Sequence, residues 1–169
     1  MVQSVPIAIS AEAYNVAVEL HFPKGSGAVL NFGTLRVFEE KQTTLSLRNK
    51  GKYPMNYNFV INHPKLFTVT PNTGSVAPSD KPSSNITVTI TFKSGEEVDM
   101  VNSTEIYCHV TDPHTNNLIA KIPVNISVRS VFSKYSISPE RGINFGPFLH
   151  GTKKSRSFSI KNDGEFEFK

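Results

Sequence analysis

The seven residues Ile86-Thr87-Val88-Thr89-Ile90-Thr91-Phe92 alternate apolar and hydroxyl side chains without a break. Successive side chains of an extended strand point to opposite faces, so this segment reads as a strand with one face in a core and one in water. The same period of two runs through Val16–Phe22, Thr44–Arg48, Ile106–Val110 and Ile122–Val128. Between these runs lie turn formers: Lys24-Gly25-Ser26-Gly27, Pro71-Asn72-Thr73-Gly74, Pro78-Ser79-Asp80 and Asp112-Pro113. No stretch carries a helical period, and Ser94–Asn102 has room for a single turn between strands. Many short strands with frequent turns predict an all-β antiparallel sandwich.

The chain also repeats itself. Leu30-Asn31-Phe32-Gly33 returns as Ile143-Asn144-Phe145-Gly146, and Leu45-Ser46-Leu47-Arg48-Asn49-Lys50-Gly51 returns as Phe158-Ser159-Ile160-Lys161-Asn162-Asp163-Gly164, both about 113 residues on. Val5-Pro6-Ile7-Ala8-Ile9-Ser10 matches Ile122-Pro123-Val124-Asn125-Ile126-Ser127 at about 117. The expected organisation is tandem. Residues 1–11 read as the last strand of a preceding unit, 12–130 as one complete sandwich, and 131–169 as the opening of a following, truncated unit. The whole protein is then expected to be a longer array.

Several function classes find no support. The 169 residues are 38% apolar and 19% charged, the composition of a folded domain. There is no run of 18 apolar residues and no leader of basic-then-apolar type, so neither membrane insertion nor secretion is expected. A single cysteine, Cys108, forbids an internal disulfide and reads as a small core residue. The sequons at Asn85, Asn102 and Asn125 are then coincidental. His21, His63, His109, His114 and His150 are scattered, and alternation sends Cys108 and His109 to opposite faces, so no metal or other cofactor is expected. Gly25-Ser26-Gly27 lacks the lysine and helix of a phosphate loop, and no Gly-x-Ser-x-Gly elbow occurs. Glu96, Glu97 and Asp99 read as a solvated loop. No small-molecule substrate or enzymatic activity is expected.

The net charge of +4 is concentrated late: residues 131–169 carry seven Lys or Arg against four acids, residues 12–130 eleven against ten. Two clusters are candidates for docking an acidic partner: Arg48, Lys50 and Lys52 around one strand end, and Lys153, Lys154 and Arg156. Neither is interleaved with aromatics, which argues against nucleic acid. The strand at 118–128, with Pro123 removing one backbone donor, reads as a guarded sheet edge.

The order Asn31-Phe32-Gly33, Asn49-Lys50-Gly51, Phe67-Thr68-Val69-Thr70-Pro71-Asn72-Thr73-Gly74-Ser75-Val76-Ala77-Pro78 and Val88-Thr89-Ile90-Thr91-Phe92 resembles the ASH domain, a relative of major sperm protein and PapD-like immunoglobulin sandwiches. One departure is Phe92-Lys93-Ser94, where that family often has Phe-x-Pro. The restart at Asn144, Phe145, Gly146, Asn162 and Gly164 makes the resemblance tandem, as in arrays of motile cilia. It implies a cytoskeletal scaffold in the central-pair apparatus of the axoneme, required for ciliary motility, with axonemal proteins and microtubules as partners. The rival it leaves is a major-sperm-protein-type module gripping a short acidic peptide on Arg48, Lys50 and Lys52. Phe32 and Phe145 are expected to plug the sandwich end. Gly33 and Gly146 would give room or an unusual φ, Asn49 and Asn162 would cap turns closed by Gly51 and Gly164, and Pro71 and Gly74 would share a turn behind Phe67. If Phe32 is core, Phe32→Ala lowers the unfolding free energy by about 3–5 kcal/mol in a urea titration; an unchanged midpoint would refute the assignment.

Overall fold

Thr87 is exposed and Thr89 and Thr91 half-buried while Val88, Ile90 and Phe92 are sealed from solvent, so alternation does translate into a two-faced strand. The computed structural model describes residues 7–12, 17–25 and 27–168; residues 1–6, Val16 and Ser26 of the segments read above lie outside the described residues. Eleven strands are described: β1 Val18–His21, β2 Val29–Arg36, β3 Glu40–Asn49, β4 Met55–Ile61, β5 Phe67–Thr70, β6 Thr73–Val76, β7 Asn85–Lys93, β8 Val98–Thr111, β9 Leu118–Val131, β10 Tyr135–Ser138 and β11 Ser159–Asn162. A single 3-10 turn, Pro82–Ser84, leads into β7. Among the described residues no helix is long and apolar enough to cross a membrane.

Two sheets face each other. One has the order β1-β3-β7-β5, the other β2-β9-β8-β4-β6. Inward residues of both fill one core: Leu45, Leu47, Val88 and Ile90 from the first sheet, Leu30, Phe59, Ile106, Cys108, Val124 and Ile126 from the second. Within it Phe32, Phe67 and Phe92 pack as a triangle, with ring centroids 6.3, 5.9 and 5.4 Å apart. Tilted rings at such spacings add to their area burial.

The chain begins in one sheet and crosses to the other between β1 and β2, and the Asn-Phe-Gly motif follows directly on that crossing. β2 runs parallel to β9, and its register slips by one residue between Asn31 and Gly33, so Phe32 is the extra residue of a bulge. Gly33 has φ +72, and a Cβ there would meet nothing nearer than Lys41 Nζ at 3.8 Å. The glycine is therefore required by its dihedral rather than by space. Asn31 Oδ1 accepts from Gly33 N–H at 2.8 Å, and Lys41 Nζ donates to the Phe32 carbonyl at 2.7 Å.

Three expectations need correction. The span Ser94–Asn102 is mostly strand: the turn ends at Glu97 and β8 starts at Val98, because the Ser94 hydroxyl closes it on both the N–H and the carbonyl of Glu96. Gly74 lies in β6 rather than in the Pro71-Asn72 turn; a Cβ there would sit 2.7 Å from the Tyr57 hydroxyl. The 118–128 segment is an edge only in its first half, since β2 covers β9 from Asn125 onward. Of residues 1–11, only 7–11 are described; they carry no strand, and Ile7 and Ile9, aligned by the repeat with buried Val124 and Ile126, are exposed.

β10 and β11 form a separate two-stranded sheet, antiparallel, with Tyr135 opposite Asn162. β1 meets β3 in the same way, Val18 opposite Asn49. The later pair buries no apolar face: Tyr135, Phe145, Phe158 and Ile160 are exposed. Two isolated strands are marginal in water. In hydrogen exchange, amides of Ser159–Asn162 should exchange faster than those of Val88–Phe92 by about two orders of magnitude or more; equal protection would contradict this.

Candidate interaction surface

The first basic cluster is largely spoken for within the chain. Lys50 Nζ lies 2.6 Å from Glu19 on β1, and β3 sets Arg48 opposite Glu19 in register. Lys52 Nζ lies 2.7 Å from Glu12, whose other carboxylate oxygen accepts from the Tyr53 hydroxyl at 3.0 Å. The hydrogen bond from Lys52, then that from Tyr53, hold the Glu12 carboxyl below its ordinary range, and Lys52 is raised in return by Glu12. An acidic ligand would have to displace two carboxylates already in place.

The second cluster divides. Lys153 and Arg156 are exposed. Lys154 stands 113 residues after Lys41, and the two ammoniums lie alike: Lys154 Nζ is 3.7 Å from where a Gly146 Cβ would be. Its Nζ also lies 5.9 Å from the Phe148 ring centroid. The Asn-Phe-Gly loop therefore sets its position, as it does for Lys41. Among the described residues no hydrogen bond or ring contact brings the two basic clusters together.

The motif residues are tied into the backbone. Asn49 is buried; its Oδ1 accepts from Gly51 N–H at 2.8 Å and its Nδ2 donates to the carbonyls of Tyr53 at 2.7 Å and Ala77 at 3.1 Å. The reach to Ala77 was not visible in the sequence, since the partner lies 28 residues away. Asn162 repeats the local half of this pattern, with Gly164 N–H at 2.9 Å and the Phe166 carbonyl at 2.7 Å. Asn144 accepts from Gly146 N–H at 2.8 Å, and Gly146 has φ +62. Phe32 and Phe67 are buried, whereas Phe145 is not. Pro71 follows a cis peptide at the start of the turn into β6.

Sequence reading missed one polar cluster. Glu105 is buried on β8 beside a register shift, and its carboxylate faces His63 Nδ1 at 2.6 Å and accepts from the Ser103 hydroxyl. The only sequence signal was an acid within an inward-facing run. Ser103 donates to the carboxylate and not to the imidazole, so the base needed to activate a serine nucleophile is not in place. Burial alone would raise Glu105, but the bonds from Ser103 and His63 outweigh it and its carboxyl sits below the ordinary value. Burial pushes the Cys108 thiol up to about 12, leaving it protonated and unreactive. Among the described residues no group of three or more His, Cys, Asp or Glu could hold a metal ion.

The surface that remains is made of strand edges and unit ends on an Ig-like frame. A model of the HYDIN/CFA65/VesB-like Ig-like domain matches residues 20–122, the span of both facing sheets from β1 into β9. The chain belongs to this family. It is 39% identical over its whole length to hydrocephalus-inducing protein of Mus musculus and 36% identical to its Homo sapiens homolog. It spans only 3% and 4% of those two proteins. Among solved structures, the ASH/PapD-like domain 7 of human CEP192 aligns with 78% of this chain and 99% of its own at a TM-score of 0.56 and 14% identity, a likeness of fold. The all-β sandwich of ASH and PapD-like type read from the sequence is the fold observed.

The Glu105 cluster generates a pH-dependent expectation. A carboxyl depressed in the native state contributes stability above the unfolded value of 4.5, and that contribution is lost as pH falls through the lower native value. Glu105→Gln should cost about 1–3 kcal/mol at pH 7 in urea unfolding, and the gap to wild type should narrow toward pH 3. A gap independent of pH would mean that the carboxylate charge is not what holds the cluster.

Proposed function

We propose that this chain is a structural segment of a tandem array of ASH-type sandwiches that serves as a non-enzymatic scaffold in the axoneme of motile cilia. The observation that carries the reading is the repetition of the β1–β3 pairing by β10–β11 in the same register, ahead of the same Asn-x-Gly turn. On this reading residues 12–130 are one unit, 131–169 open the next, and 1–11 end the one before. Repeats of this kind touch mainly their neighbours and build extended rods.

Membership of the family and similarity to hydrocephalus-inducing protein support a place in the ciliary central-pair apparatus and a part in motility. The partners are then axonemal proteins, with microtubules among them. The rival, an acidic-peptide module on Arg48, Lys50 and Lys52, is weakened by Glu12 and Glu19, which occupy that face. Charges left at the surface, such as Lys153 and Arg156, steer association and fade with salt.

Antibodies raised against this chain should label detergent-extracted axonemes of motile cilia, at the central pair. Label confined to the cell body would refute the axonemal assignment. Co-sedimentation then separates the partners: binding to microtubules that disappears on removal of the acidic tubulin tails, and on raising salt from about 50 to about 200 mM, assigns direct docking. Absence of pelleting assigns the contact to other axonemal proteins.

A further inference from the structure

Two ion pairs occupy equivalent places in the repeat with their charges exchanged. The anchors are backbone bonds: Lys50 N–H donates to the Ala17 carbonyl at 2.7 Å, and Asp163 N–H donates to the Lys134 carbonyl at 3.0 Å. These bonds continue the β1–β3 and β10–β11 ladders, so Ala17 matches Lys134 and Lys50 matches Asp163. Counting five residues back and two forward, Glu12 matches Arg129 and Lys52 matches Glu165. In the first place Lys52 Nζ lies 2.7 Å from Glu12 Oε1. In the second, Arg129 Nη1 lies 2.6 Å from Glu165 Oε1 and 2.8 Å from Oε2. The acid is on the earlier segment in one pair and on the later segment in the other.

An incidental surface contact gives no reason for both members to change sign together. A neighbouring position shows one further change: Lys50 pairs with Glu19, whereas Asp163, its match, pairs with Lys161 Nζ at 2.7 Å and then with Ser136, the match of Glu19. Other contacts reinforce the second site. Arg36 Nη2 donates to the Glu167 carbonyl at 2.6 Å and its guanidinium lies 5.0 Å from the Phe166 ring centroid. Glu97 accepts from Phe132 N–H at 3.3 Å and sits 3.7 Å from Lys134 Nζ.

We propose that this ion pair is a charge-coded joint between successive units: the end of each unit's last strand binds the turn that follows Asn-x-Gly in the next unit, and the sign of the pair specifies which neighbour fits. The proposal rests on the tandem reading above, with Glu12, the repeat match of Arg129, counted as the end of the preceding unit rather than as the first residue of 12–130. A unit docked out of order would set Lys52 against Arg129, or Glu12 against Glu165, so the wrong neighbour, or a second copy of the chain in the wrong register, meets like charge. Arg129, Glu165 and Glu12 are about half-exposed and Lys52 is mostly exposed, and such pairs hold little on their own. Their use is discrimination, which comes from repulsion in the wrong pairing as much as from attraction in the right one.

Charge exchange in the full 169-residue chain tests this. Glu165→Lys reproduces the out-of-order joint, Arg129→Glu reproduces it from the other side, and the double variant rebuilds the pair found at Glu12 and Lys52. By NMR, amide exchange at Asp163 and Gly164 should accelerate roughly two- to tenfold in each single variant. It should return to within about a factor of two of wild type in the double variant. Single variants without effect, or a double variant no better than either single, would overturn the joint. Cross-strand NOEs between Tyr135–Ser138 and Ser159–Asn162 report separately on the tandem reading. Their presence with no charge coupling sinks the joint alone; their absence from the wild-type chain sinks both.

Discussion

The sandwich depends on one backbone carbonyl being held where the regular ladder breaks. Phe32 is the extra residue in the β2–β9 register; it lies inward on the alternation from Leu30, and the bulge shifts the alternation after it so that Leu35 lies inward as well. Gly33 supplies the positive φ, Asn31 fixes the N–H of Gly33, and Lys41 bonds the Phe32 carbonyl. Without that arrangement strict alternation from Leu30 would place Leu35 on the outer face, against its burial. The bulge thus allows one short strand to give three core residues, Leu30, Phe32 and Leu35, while pairing in parallel with β9. The aromatic triangle ties that strand to β5 and β7 of the opposite sheet.

Strand existence and facing were legible because burial on one face imposes a period of two directly on the residues. Val88, Ile90, Ile106, Cys108, Val124 and Ile126 all lie in the core on that pattern. The repeat was legible for a related reason: its motif residues act over two to four positions, as Asn49 does on Gly51 and Tyr53. What was hidden depends on partners distant along the chain. Gly74 is glycine because Tyr57 lies across it, Asn49 reaches Ala77, and Glu105 meets His63 over 42 residues. The basic cluster at Arg48, Lys50 and Lys52 was visible as a count of charges. Glu12 and Glu19, which answer it, are brought alongside only by the fold.

The second copy of the motif separates local from tertiary structure within one chain. Asn144 and Gly146 form the same turn as Asn31 and Gly33, with the same bond length and a similar positive φ, although no sheet lies beside them. The Asn162 turn likewise closes on Gly164 and Phe166. Turn chemistry therefore precedes packing and does not require it. Burial does require it: Phe145 stays exposed where Phe32 is sealed, for want of the strands that would carry partners like Phe67 and Phe92. A unit of this kind is assembled from preformed corners and completed by long-range strand pairing.

The distribution of open backbone bears on how such units combine. β9 is uncovered from Leu118 to Val124, where Pro123 removes a donor and Lys121 folds over the Tyr107 ring at 3.8 Å. A proline and a bulky cation discourage a further strand from adding there. By contrast, the Arg36, Glu97 and Arg129 end of the sandwich is rich in side-chain contacts to residues 132–167. Side-chain contacts of this sort are specific and individually weak, whereas strand addition is strong and indifferent to sequence along its backbone bonds. On the tandem reading proposed above, an array must keep its similar units in order without fusing their sheets. Blunted edges with charge-matched ends meet both demands, and they leave the outward loops free to differ from unit to unit.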